Sequence, residues 1–191
     1  MESNLAFSGK TVVITGATAG IGYRTALEFC RRGAFVIGVG RSPDRCQKAR
    51  EEIIKEVPKA KVHFLIVDLS SQEEVRGLAA SVASLLKENR LAGLDVLVNN
   101  AGLFMDKLVM TEDGIETTVA VNHIAPFLLT YLLLPLLQNQ RSGGRSWLEH
   151  GITEEQVANN ALNIRPGSEA LWRYAGTVIE RAVSEGNLPR A

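Results

Sequence analysis

Short β-branched runs alternate along the first 140 residues with longer segments whose apolar positions recur at helical spacing. Such runs predict buried strands, and the longer segments predict helices. The predicted strands are 10–15, 35–40, 62–67 and 95–98. The predicted helices are 21–32, 43–57, about 70–89, and a long one from about 111–113 to 138. This alternation indicates βαβ crossovers, and therefore a parallel sheet with helices on both faces.

The pattern changes after Gln140. Residues 141–145 (RSGGR) predict a loop, and no β-branched run follows them. A capping box at Thr153–Gln156 predicts a short helix, and an apolar stripe from Leu171 to Ala182 predicts a second. We therefore expect an α/β domain over residues 1–140 and a two-helix tail over 141–191 that is not an independent domain.

Composition and charge exclude several classes of protein. The chain of 191 residues has 21 Lys+Arg and 21 Asp+Glu, and neither half is basic enough to follow a phosphate backbone, so we expect no nucleic-acid binding. Its two cysteines form no CxxC motif and have no histidine at metal-ligand spacing, which argues against a metal site and a disulfide framework. A cytoplasmic protein with reduced thiols is the expectation.

The sequence also predicts no membrane span. The N-terminus, MESNLAFSGK, has no apolar stretch of signal-peptide length. The longest apolar run, Ile124–Leu137, contains two prolines and is short for a bilayer. A core or subunit contact is the expected role of this run.

A glycine-rich segment, Thr15–Gly22 (TGATAGIG), lies between the first predicted strand and the first helix. Glycines there allow a tight turn and let a pyrophosphate approach the backbone at the helix N-terminus. The spacing is G-x3-G-x-G rather than G-x-G-x-x-G, and glycines also serve turns and helix packing. The position of the segment favours phosphate binding, and the candidate residues are Gly16, Thr18, Gly20, Ile21 and Gly22.

Polar residues follow two further strands. Asp68-Leu69 ends the third strand, and Asn99-Asn100-Ala101-Gly102 ends the fourth. Open α/β sheets bind ligands at the carboxyl ends of their strands. A helix cap for Asp68 and a turn for the two asparagines are the alternative interpretations.

These motifs, together with Val121-Asn122 and Phe127, resemble the short-chain dehydrogenase/reductase family over residues 7 to about 140. The segments Thr111–Thr118 and Asn122–Leu134 are most similar to its retinol-dehydrogenase-like branch. The resemblance implies a Rossmann-like sheet, here truncated after the long helix, and hydride transfer between a nicotinamide dinucleotide and an alcohol, aldehyde or ketone. It implies pyrophosphate binding by Gly16, Gly20 and Gly22, adenine binding by Asp68 and Leu69, and an adenosine-ribose wall of Asn99, Ala101 and Gly102.

Charge after the second strand bears on the choice of cofactor. A site for NAD offers an acidic residue to the ribose hydroxyls, whereas a site for NADP offers arginine to the 2′-phosphate. This chain has Gly40-Arg41-Ser42 there, with no carboxylate before Asp44. Arg41 can bind a phosphate and Ser42 can donate a hydrogen bond, so we expect NADP(H) to be favoured over NAD(H).

The chain departs from the family at the catalytic residues. The family uses a tyrosine as proton donor, a lysine four residues later and a substrate-orienting serine, with an asparagine that supports the lysine. Asn122 matches that asparagine, but no lysine follows Lys107, and Tyr174 has Val178 at the lysine position. His150 lies near the position of the serine and offers a replacement acid.

Three hypotheses follow from this pattern. In the first, the chain keeps cofactor binding and is impaired in turnover. In the second, it is an active reductase that uses His150 or a second chain. In the third, it is a non-catalytic NADP(H) sensor or scaffold that binds a partner through the helical tail. Without a fifth strand the strand at 95–98 lies at a sheet edge, and we expect self-association through that edge or through Ile124–Leu137.

Overall fold

The computed structural model describes residues 6–138, so the predicted tail at 141–191 lies outside the described residues. Strands and helices alternate along residues 6–138 as the sequence predicts. The strands are β1 (Thr11–Thr15), β2 (Phe35–Gly40), β3 (Lys61–Ile66) and β4 (Val96–Val98). The helices are α1 (Gly20–Arg31), α2 (Pro43–Glu56), α3 (Gln72–Glu88), α4 (Thr117–Val119), a π-helical segment (Ala120–Ile124) and α5 (Ala125–Gln138).

The four strands form one parallel sheet in the order β3-β2-β1-β4. The chain moves outward from β1 to β3 and then crosses to the other side of β1 to form β4. This reversal leaves a crevice at the carboxyl ends of β1 and β4, where sheets of this type bind their ligands. The α/β, Rossmann-like fold expected from the sequence is confirmed.

Alternate residues of β1 pack into two separate cores. Val12 and Ile14 face α1 and α2, with Leu27 and Ile53 in the same cluster. Val13 faces α3 and α5, in a cluster that also contains residues of β2. Every residue of β1 is buried, as expected for a central strand covered on both faces.

The long helix begins later than the sequence predicts. Residues 111–116 form a turn instead of a first helical turn, with the Gly114 amide donating to the Thr111 carbonyl at 3.0 Å and Gly114 at φ +71°. Glu116 then caps α4, because its two carboxylate oxygens accept hydrogen bonds of 2.8 Å from the amides of Thr118 and Val119. These bonds hold the pKa of Glu116 below its usual value, although partial burial opposes them.

The helix Thr117–Leu137 runs for 21 residues and, by length and composition alone, could cross a bilayer. Buried helices of water-soluble proteins pass the same test, and Leu129 and Leu133 are buried against α3 and the sheet. The sequence-based expectation rested on the shorter run of fourteen residues. The absence of a membrane span therefore stays a prediction.

Within residues 6–138, β4 pairs with β1 alone and leaves its other edge without a strand. Its three residues are half-buried, whereas the residues of β1 are fully buried. Lys10 and Asp95 hold the start of this strand pair: the ammonium lies 2.8 Å from Asp95 Oδ1, and the Thr11 amide donates to Oδ2 at 2.8 Å. The edge position that the sequence predicts for β4 agrees with the described sheet.

The packing of α5 gives the first testable prediction. Leu133 is completely buried, whereas Phe127 on the same helix is 50% exposed. Leu133→Ala should lower the free energy of unfolding by about 2–5 kcal/mol, because it removes transfer energy and leaves a cavity. Phe127→Ala should lower it by less than about 1 kcal/mol. Urea denaturation measures both, and equal losses would contradict this packing.

Candidate dinucleotide site

An open cleft of about 250 Å³ lies at the carboxyl ends of the strands. All four strands contribute to it through the residues that follow them, and the π-helical segment contributes one residue. The lining residues are Gly16, Thr18, Ala19, Val39, Gly40, Arg41, Arg45, Val67, Asp68, Leu69, Ala101, Gly102, Leu103 and Val121. Seven of the residues singled out in the sequence lie in this wall: Gly16, Thr18, Arg41, Asp68, Leu69, Ala101 and Gly102.

The glycine loop has the backbone geometry that its sequence predicts. Gly16 and Gly20 have φ values of +67° and +55°, which other residues rarely adopt. A Cβ on Gly22 would overlap the Gly16 carbonyl oxygen and Asn100 Nδ2. Gly22 therefore does not line the cleft but lets α1 approach the loop closely. The Ile21 side chain is 80% exposed and also lies outside the wall.

The start of α1 has no capping side chain. Its N-cap residue, Ala19, supplies no side-chain acceptor, and its first turn contains no acid. By contrast, Ser42 and Ser71 cap α2 and α3, and both of those helices have acids in their first turns. The amides of the first turn of α1 are thus left for an external anion, and Ala19 lies in the cleft wall.

Thr15 and Asn100 hold the glycine loop against the end of β4. The Thr15 hydroxyl accepts hydrogen bonds of 3.0 Å from the amides of Asn100 and Ala101. Asn100 Nδ2 donates to the Thr15 carbonyl at 2.9 Å and to the Gly16 carbonyl at 3.3 Å. Sequence reasoning selected Asn99 as a site residue and missed Asn100, which is the amide that positions the loop.

Asn99 faces a different part of the molecule. Its Nδ2 donates to the Thr130 hydroxyl of α5 at 3.0 Å, so its side chain is held away from the cleft. Asn122, in the π-helical segment, holds the backbone of Leu103 in a two-point contact. Its Oδ1 accepts from the Leu103 amide at 2.9 Å, and its Nδ2 donates to the Leu103 carbonyl at 2.7 Å. Asn122 therefore fixes a lining residue without lining the cleft itself.

The residues after β2 and β3 have structural roles as well. Ser42, outside the wall, caps α2 by accepting a hydrogen bond from the Arg45 amide at 3.4 Å. Asp68 Oδ1 accepts from the Ser70 amide at 2.9 Å, while Ser71 is the actual cap of α3. The cap predicted as an alternative for Asp68 is thus a local turn, and Asp68 still lines the cleft.

Sequence reasoning did not select Arg45 or Leu103, and it quoted Val121 only as part of the family motif. Arg45 reaches the cleft from the first turn of α2, and Leu103 and Val121 supply apolar surface. Gly40 has no room for a side chain, because its Cβ would lie 2.6 Å from Thr18 Cγ2 and 2.9 Å from Cys46 Sγ. This close packing fixes the end of β2 against the glycine loop.

Both cysteines are free and buried. Burial raises the pKa of the Cys30 thiol to about 12 and raises that of Cys46 as well, although Arg45 partly opposes the shift at Cys46. Neither thiol is suited to act as a nucleophile, because a reactive cysteine needs a lowered pKa. Across residues 6–138 no cluster of three or more metal-ligating side chains occurs.

Comparison with known proteins agrees with this geometry. The family model described as short chain dehydrogenase matches residues 10–145. The chain belongs to the short-chain dehydrogenase/reductase family and to its retinol-dehydrogenase-like branch. The resemblance stated from the motifs is confirmed.

Human retinol dehydrogenase 13 is 40% identical over 136 residues, which cover 71% of this chain and 40% of that protein. Mouse polyprenol dehydrogenase is 40% identical over 137 residues, which cover 72% of this chain and 39% of that protein. The chain therefore spans about two fifths of these relatives. The structure of L-sorbose reductase from Gluconobacter frateurii, complexed with NADPH and L-sorbose, matches with a TM-score of 0.59 at 28% identity, covering 71% of this chain and 50% of that one. A metagenomic short-chain oxidoreductase in complex with NADP matches with a TM-score of 0.56 at 27% identity, covering 69% and 58%.

The glycine loop gives a second prediction. Gly22→Ala should lower the free energy of unfolding by about 1–3 kcal/mol, because the added methyl group overlaps Gly16 and Asn100. Gly77 is a matched control in α3, since a Cβ there meets no atom within 4 Å. Gly77→Ala should raise stability by about 1 kcal/mol through helix propensity. Chemical denaturation distinguishes the two, and a stable Gly22→Ala variant would contradict the close approach.

Proposed function

We propose that this chain binds NADP(H) in preference to NAD(H) and forms the cofactor-binding part of an oxidoreductase that interconverts alcohols and carbonyl compounds. The observation that carries the proposal is the cleft itself. It joins the glycine loop, the uncapped start of α1 and the Arg41 side chain at the reversal point of the sheet. Solved relatives with the same fold are complexed with NADP or NADPH.

The residues present fit a dinucleotide. Gly16 and Gly22 let the loop pack closely against Asn100 and α1, and the first-turn amides of α1 are available to a pyrophosphate. Leu69 and Val67 supply apolar surface suited to an adenine ring, and Asp68 supplies a hydrogen-bond acceptor. When bound, the cofactor would supply or accept the hydride of the reaction.

The charges next to β2 favour a cofactor that carries a 2′-phosphate. Arg41 lines the cleft directly after β2 and forms no ion pair with another described residue. The acidic residue in the wall is Asp68, which follows β3 rather than β2. A site of this kind offers a guanidinium and no carboxylate to the second ribose, which favours NADP(H).

We further propose that turnover by this chain is impaired. The three tyrosines, at 23, 131 and 174, are followed four residues later by Leu27, Pro135 and Val178, so none of them has a lysine at the spacing that the family resemblance implies. Burial and two nearby carboxylates raise the pKa of Tyr23, which makes it a poorer proton relay. Asn122 remains, but its side chain is committed to the backbone of Leu103.

The second candidate function is a non-catalytic NADP(H) sensor or scaffold that binds a partner through residues 141–191. The missing Tyr-x-x-x-Lys motif favours it, because a sensor needs the cleft and not the proton donor. Oxidation of NADPH in the presence of aldehydes distinguishes an active reductase from both of these candidates. Turnover above the rate of a His150→Ala variant would support the active reductase that uses His150, and binding without turnover would contradict it.

The proposal also includes self-association of the chain and a location in the cytoplasm. Within residues 6–138, the outer edge of β4 has no strand partner, so a second copy can pair with its backbone groups. Phe127 on α5 is half exposed and offers apolar surface that a second copy can bury. The two free, buried thiols are consistent with a reducing compartment, and we place the protein in the cytoplasm.

Reversing the charge at Arg41 tests the cofactor preference. Arg41→Asp should shift the NADPH-to-NADH affinity ratio toward NADH by about 100-fold, because a charge-assisted hydrogen bond is replaced by repulsion. Arg50→Asp is the control, since Arg50 lies on α2 away from this cleft. Fluorescence titration with both nucleotides gives the ratio, and an unchanged ratio in Arg41→Asp would refute the assignment.

Light scattering tests self-association. The mass of the purified chain should rise with concentration, and Phe127→Ser should reduce the rise because it removes an aromatic contact from the exposed part of α5. A mass that stays monomeric up to high concentration would contradict the proposal.

A further inference from the structure

Two guanidinium groups lie on the same wall of the cleft. Arg41 follows β2 directly, and Arg45 lies in the first turn of α2, four residues later. Asp44 lies between them in sequence, but it is not among the lining residues. The part of the wall next to β2 therefore presents two cations and no acid.

Arg45 has no carboxylate at helical spacing. The residues three and four positions away from it are Arg41 and Ser42 on one side and Lys48 and Ala49 on the other. Across residues 6–138, Arg45 forms no ion pair. Lys48 also forms no ion pair among these residues, but Glu51 and Glu52 follow it at helical spacing.

The position of Arg45 is also electrostatically unfavourable in the free protein. The N-terminal end of a helix carries partial positive charge, which favours acids and disfavours cations in the first turn. Ser42 caps α2 through the Arg45 amide, so Arg45 lies within that turn. A bound anion at this end of the helix would offset the repulsion among the helix dipole, Arg41 and Arg45.

We propose that Arg45 is a second phosphate-binding cation, which acts with Arg41 to select a ligand that carries a 2′-phosphate. This inference rests on the proposed function and adds a specificity-determining residue to it. A phosphate dianion can accept charge-assisted hydrogen bonds from both guanidinium groups. A ribose hydroxyl at the same place carries no charge and gains little from the second arginine.

The test compares Arg45→Met with Lys48→Met in the full chain. Both variants remove one cation from an exposed position of α2 and keep a long side chain, so they should fold alike by circular dichroism. Affinities are measured by titration with two pairs of probes: NADPH and NADH, and 2′,5′-ADP and 5′-AMP. The members of each pair differ only by the 2′-phosphate on the adenosine ribose.

Arg45→Met should lower the affinity for NADPH and 2′,5′-ADP roughly tenfold, while the affinity for NADH and 5′-AMP stays within about twofold of the wild type. Arg45→Lys should recover part of the loss, because it keeps the charge without the planar donor fork. Lys48→Met should match the wild type with all four probes. A purely structural role for Arg45 would weaken both members of each pair equally.

Two other outcomes would overturn the inference in different ways. In the first, the wild type prefers NADPH, Arg41→Asp abolishes that preference, and Arg45→Met does not change it. The inference then fails while the proposed function stands. If the folded wild type binds none of the four probes, the proposed function fails and this inference fails with it.

Discussion

The close approach of the glycine loop to the end of β4 is the constraint on which the site depends. Gly22 can lie against Gly16 only because neither residue has a side chain, and Asn100 fills the remaining space with an amide that binds the Gly16 carbonyl. Thr15 joins the two strands at the same level through the amides of Asn100 and Ala101. These hydrogen bonds fix the N-terminal end of α1 at the carboxyl edge of the sheet. The other residues of the cleft wall lie around this end of the helix.

The alternation of strands and helices could be predicted from the sequence because each element has a strong local signal. The β-branched run of β2 and the proline at the start of α2 identify their boundaries correctly. The start of the long helix could not be found in this way. Its apolar pattern extends back toward residue 111, but the Gly114 turn and the Glu116 cap set the helical start at Thr117.

The candidate site, too, could be predicted from the sequence only in part. Motif positions identified Gly16, Arg41 and Asp68, because their places at strand ends follow from the chain order. The direction of a side chain depends on packing, and motif spacing does not contain that information. Asn99 and Asn100 are adjacent and chemically identical, yet one binds Thr130 of α5 and the other binds the glycine loop. Arg45 was missed because its place in the wall depends on how α2 is rotated against β2.

The described residues form the cleft in which we propose that the cofactor binds, and the chemistry that the family resemblance implies also needs a proton donor. Every residue of the cleft wall lies at or before Val121, whereas no tyrosine of the sequence has a lysine four residues later. Nucleotide binding and turnover can therefore be separated experimentally. The most direct test is a fluorescence titration of the folded wild-type chain with NADPH and with NADH. We expect saturable binding, with a higher affinity for NADPH than for NADH. A folded chain that binds neither nucleotide, or that binds NADH more tightly, would contradict the proposed function.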